Sequence, residues 1–170
     1  MKNDLSKNER KIRPYKTTCR KCETEQDAED MVRLAVENSS KGQMMKVIGN
    51  QIDNPDDITA NPDRITEQIL KQQKEVLGLE KCRSRRINSM TYLIDKKQYN
   101  TTVGEVTEFA KELLATYSKY PAIAMISENK RQIRLDHISG NLCEDGPRMT
   151  QVFNPATLYN IYKESRNKSL

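Results

Sequence analysis

Apolar residues recur at helical spacing in some stretches of this chain and run together or alternate in others. Ala28, Met31, Val32, Ala35 and Val36 form a stripe that predicts a helix over 25–38. Thr24, three residues before Asp27, supplies a capping-box start, and Asn38 to Gly42 supplies the stop. The next segment, GQMMKVIGNQI, fits a short helix or a strand; a face shared by Met44, Val47, Ile48 and Ile52 favours the helix. Asp53 to Asp63 is rich in turn formers and ends in Asn61-Pro62, a cap followed by proline at the first helical position. The helix predicted from Pro62 to Leu77 turns Ile65, Ile69, Val76 and Leu77 inward, with Gly78 as its C-cap.

Beyond Arg86 the pattern changes. Met90-Thr91-Tyr92-Leu93-Ile94 reads as an apolar strand core. The clearest helix follows, capped by Thr102 with Glu105, and its inner face runs Val103, Val106, Phe109, Ala110, Leu113, Leu114 and Tyr117 before Pro121 ends it. Ala122 to Ile126 is a short buried strand, and Glu128 to Arg131 a hairpin turn. Gln132 to Ile138 alternates, with Ile133, Leu135 and His137 on one face. A loop over 140–147, a strand over 149–153 and a helix from Asn154-Pro155 through Tyr162 complete the reading. The expected fold is α+β: a small, largely antiparallel sheet with about four or five helices. Residues 1–18 hold little apolar content beyond Leu5, Ile12 and Tyr15 and read as a basic flexible arm; residues 19–170 read as one globular domain.

The stretch TTVGEVTEFAKELLATYSKYPAIAMIS, residues 101–127, resembles a helix-then-strand unit of small uncharacterised accessory proteins of phages and mobile elements. In those a T-V-x-E-L start leads through a short helix and a proline to a β-strand. The resemblance implies a viral or mobile-element origin and brings with it no activity, cofactor or site.

Composition changes this picture little, and charge changes it more. The 170 residues are 35% hydrophobic and lack Trp, so the core rests on Ile, Leu, Val, Met and Tyr. No apolar run reaches the roughly 18 residues of a membrane span. The amino-terminal stretch has no apolar h-region, so a cytoplasmic protein is expected, in the host cytoplasm if the gene is viral. The net charge of +5 is unevenly spread. Residues 1–21 carry eight Lys or Arg against two acids, and residues 81–100 carry six against one. Residues 23–80 carry six against thirteen. The candidate nucleic-acid-binding residues are therefore Lys81, Arg83, Arg85 and Arg86, with Lys96 and Lys97 nearby, and Arg10, Lys11 and Arg13 of the arm. Arginine forks suit phosphate oxygens, so recognition of the backbone rather than of bases is expected. Tyr92 and Tyr99 would stack on bases if exposed, although a strand position makes Tyr92 a core residue.

Cys19-Arg-Lys-Cys22 has the spacing of half a tetrahedral zinc site, which makes these two cysteines candidate metal ligands. A second close pair is lacking, since Cys82 and Cys143 stand alone, and the expectation is no required cofactor. His137 is the single histidine and sits among apolar neighbours, as a packed side chain does. Asp56-Asp57 and Glu144-Asp145 match no calcium-loop spacing, and the six glycines form no phosphate loop. No pattern points to an enzyme. The sequence thus predicts a non-enzymatic nucleic-acid-binding accessory protein. The alternative is a viral or mobile-element interaction factor that docks on an acidic protein surface and inhibits a host or defence protein.

Overall fold

A computed structural model describes residues 14–15, 24–77, 87–99, 101–140 and 163. Helix α1, Glu25–Ser39, starts at the expected capping box: Thr24 Oγ1 accepts from the Asp27 amide, and the Asp27 carboxylate accepts from the Thr24 amide. Helix α2, Pro62–Leu77, begins at the proline after Asn61. Helix α3, Val103–Thr116, is capped by Thr102, whose hydroxyl accepts from the Glu105 amide at 3.2 Å. All three were legible from caps and stripes.

The strands are β1 (Pro14–Tyr15), β2 (Gln43–Asn50), β3 (Ile87–Asp95), β4 (Ala122–Glu128) and β5 (Gln132–Gly140). They form one antiparallel sheet in the order β1-β3-β5-β4-β2. The fold is α+β, as expected. Among the described residues three helices exceed two turns, against the four or five helices expected. One expected helix, over 42–52, is instead strand β2. An irregularity between Met44 and Lys46 shifts the register there, so its apolar residues lose strict alternation and mimic a helical face. The expected strand over 149–153 and helix from Asn154 lie outside the described residues. Within the segment read as an arm, Pro14 and Tyr15 pair with Tyr92 and Thr91.

Strand pleating divides the core into two halves. Met90, Tyr92, Ile94, Ala124, Ile126, Ile133 and Leu135 face α3, meeting Val106, Phe109, Leu113 and Tyr117. Ile87, Ile123, Met125 and Ile138 face the other way, against Val32 and Val36 of α1 and Ile65 and Ile69 of α2. The sheet is therefore a middle layer between helices. Among the described residues no helix is long and apolar enough to cross a membrane.

Tyr92 is fully buried and packs edge-on against Phe109, with ring centroids 5.2 Å apart. Its hydroxyl has no hydrogen-bond partner among the described residues, and burial pushes the phenol far above its ordinary pKa. Removing a buried hydroxyl that has no partner relieves a desolvation cost, so Tyr92→Phe is expected to raise stability by about 1 kcal/mol. A urea midpoint at or below that of the parent would contradict this.

Candidate nucleic-acid interface

Three connections meet at one end of the sheet. They are the turn from α1 into β2 (Ser40–Gly42), the exit of β3 into a helical turn (Lys96–Tyr99), and the β4–β5 hairpin. Antiparallel register brings them together, because Gln43 pairs with Glu128, Glu128 with Ile133, and Asp95 with Gln132.

The hairpin is shaped by Asn129. Its side-chain oxygen accepts from the amides of Arg131 and Gln132, each at 2.9 Å, and its own amide donates to the Gln132 carbonyl. Lys130 and Arg131 are thereby left exposed at the tip. The Lys96 amide donates to the Arg131 carbonyl at 2.9 Å, and Lys96 Nζ lies 2.6 Å from Glu128 Oε2. On the other side Gly42 closes against the hairpin: a Cβ there would come within 2.8 Å of the Glu128 carbonyl oxygen.

The end of the sheet therefore collects Lys41, Lys96, Lys97, Lys130 and Arg131, with Asp95 and Glu128 as the carboxylates of the same turns. Glu128 is taken by Lys96. Lys41, Lys97, Lys130 and Arg131 are all exposed, and none has an ion-pair partner among the described residues. Neighbouring strands lie about 4.8 Å apart, so this row of cations spans roughly 14 Å from β3 to β2. An open concavity of about 470 Å³ lies in it, lined by Asp95, Asn129, Lys130, Arg131 and Gln132. No family model matches this chain, and no curated protein or solved structure is significantly similar to it.

The α1–α2 layer has the opposite character. Its acids outnumber its bases, and its two arginines are engaged, whereas Lys71 and Lys74 are exposed without an ion-pair partner among the described residues. Arg33 bridges Glu29, Asp30 and Asp63, and Arg64 Nε donates to Asp57 at 2.7 Å. Arg64 also donates to the carbonyls of Asp53 and Asn54, so this arginine organises the turn-rich linker.

At the middle of β5, on the α1 side of the sheet, lies a buried polar cluster. Asp136 is inaccessible to solvent and accepts from four donors. Arg134 Nε and Nη2 reach its two oxygens at 2.7 and 3.0 Å. Thr91 Oγ1 donates at 2.8 Å, and the Ser39 hydroxyl at the end of α1 completes the set. A carboxylate so placed fastens α1 to β3 and β5.

Of the residues singled out from sequence, Lys96 and Lys97 stand at this end of the sheet, Lys96 paired and Lys97 free of a described partner. Lys81, Arg83, Arg85, Arg86, Arg10, Lys11, Arg13, Cys19 and Cys22 lie outside the described residues, as does the side chain of Tyr99. Among the described residues no group of three or more His, Cys, Asp or Glu is placed to hold a metal ion. The burial of Tyr92 removes it as a stacking platform. His137 is packed on the α3 face between Met90 and Ala124, and burial lowers its pKa to about 4. Sequence reasoning missed Lys41, Lys130, Arg131, Arg134 and Asp136. The hairpin turn was visible, but its position beside Lys96 depends on the β3–β5 register.

Proposed function

We propose that the protein is a non-enzymatic nucleic-acid-binding accessory protein that holds a phosphate backbone at the basic end of its sheet. The observation that carries this reading is the row of four exposed cations without ion-pair partners among the described residues, drawn from three different connections. Lysines and arginines held in fixed positions, with their charge not internally neutralised, attract polyanions. The acidic α1–α2 layer repels the same ligand and confines it to this end.

Replacing Lys97, Lys130 and Arg131 together by alanine is expected to weaken binding of a single-stranded oligonucleotide at low salt on the order of a hundredfold, at about 1 kcal/mol per lost contact. The fold should be untouched, since all three side chains are exposed. Fluorescence anisotropy with a labelled oligothymidylate reads the first effect, and circular dichroism the second. No binding by the parent protein at low salt would overturn the proposal in favour of an acidic protein surface as the partner.

A further inference from the structure

The buried cluster at the middle of β5 holds one cation in a manner no surface lysine matches. Arg134 presents its Nε edge to Asp136 through two hydrogen bonds, at 2.7 and 3.0 Å. A guanidinium has five N–H donors, and this side-on pairing uses two of them. The other three, on Nη1 and Nη2, have no partner among the described residues, and the side chain is 23% exposed. The orientation is over-determined: both Asp136 oxygens are also tied, by Ser39 and Thr91, to α1 and β3. Gln132, two residues toward the sheet end on the same face, lines the concavity between Asp95 and the hairpin. Arg134 follows Gln132 along this face, roughly 6.6 Å further from the sheet end, with its guanidinium directed toward Asp136.

Stability alone is a poor reason for such a pair. A charged pair taken out of water is often matched or bettered by apolar residues of the same volume. What the pair does supply is a guanidinium of fixed direction, with its outer edge available for a bidentate bond to an anion. We infer that Arg134, oriented by buried Asp136, is the anchor of the phosphate site, binding a phosphodiester of a single strand that enters the concavity beside Gln132. A duplex presents its phosphates on a wide, stiff cylinder, whereas a single strand has the freedom to turn one inward to a half-buried arginine. This inference rests on the proposed nucleic-acid-binding role and names the residue that fixes the ligand; Lys97, Lys130 and Arg131 supply attraction at the rim, and Asp136 is a positioning residue.

The test compares Arg134→Lys, the double variant R134Q/D136N and the rim variant K97A/K130A/R131A with the parent protein. Binding of a labelled oligothymidylate is measured across a salt series, beside thermal melting of each protein. Lysine keeps the charge and loses the fork, so R134K should bind about tenfold more weakly with an unchanged slope of log K against log salt. R134Q/D136N removes the pair together without stranding a buried charge, and its slope should fall by about 0.7, one phosphate of a single strand. If the rim variant weakens binding while R134K and R134Q/D136N bind like the parent, the anchor role is overturned and the nucleic-acid-binding role stands. If the parent fails to bind, the nucleic-acid-binding role falls, and the anchor with it. Should R134K melt too low to assay, the slope of the double variant decides alone.

Discussion

Replacing Arg134 by alanine is expected to destabilise the protein by about 3–5 kcal/mol, the cost of leaving a buried carboxylate without its cation. Asp136 is wholly inaccessible, and its remaining donors would be the two neutral hydroxyls of Ser39 and Thr91. Those hydroxyls cannot balance a full charge in a weakly polar interior. For a chain of this size the loss lowers the melting temperature on the order of 10 °C. Asp136→Asn should cost less, because a carboxamide oxygen still accepts from Ser39 or Thr91 and the guanidinium it leaves without a carboxylate is 23% exposed rather than wholly inaccessible. Urea unfolding of the two variants checks the order. Equal midpoints for R134A and the parent would show that Asp136 does not depend on its arginine.

The second large effect concerns pH. His137 has its ordinary pKa of 6.5 in the unfolded chain and about 4 in the folded protein, because burial disfavours the imidazolium. Its cross-strand neighbours on the α3 face, Met90 and Ala124, offer no charge to offset that cost. Between these two values the unfolded chain binds a proton that the folded protein does not. Stability therefore rises with pH across that window: the contribution is complete above about 6.5 and is lost as pH falls toward 4. The span corresponds to roughly 3 kcal/mol. His137→Gln removes the titrating group, so the difference in stability between the two proteins should grow along this curve. Parallel curves for parent and variant between pH 4 and 6.5 would contradict a buried neutral histidine.

Much of this fold was legible because local chemistry and tertiary structure agree. Thr24, Thr102 and Asn61-Pro62 mark helix starts that need no knowledge of the rest of the chain, and the stripes behind them give the buried faces. Strand β2 was misread because an edge strand pairs on one side only and accommodates a bulge: the bulge at Met44–Lys46 lets Met44 and Val47, three residues apart, pack on the α1–α2 side, while Ile48 packs on the α3 side. The site was harder. Lys96 and Lys97 stood out as part of a charge run, but Lys130 and Arg131 looked like turn residues, and Lys41 like the end of a helix. Their convergence follows from pairings separated widely along the chain, Gln43 with Glu128 and Asp95 with Gln132. Arg134 and Asp136 were hidden for a related reason. Two opposite charges two residues apart on a strand look like a solvent-exposed ion pair until the helix above them is placed.

The proposed site works by electrostatics at one end of a sheet, and salt probes it more directly than any single affinity does. Each phosphate neutralised on a single strand adds about 0.7 to the magnitude of the slope of log K against log salt. The decisive measurement is that slope for the parent protein and for K97A/K130A/R131A, on the same oligothymidylate. The prediction is a negative slope for the parent that shrinks in magnitude by about 2 in the variant. Parent and variant slopes that coincide would place the bound strand, if any, away from Lys97, Lys130 and Arg131 and contradict the assignment of this end of the sheet.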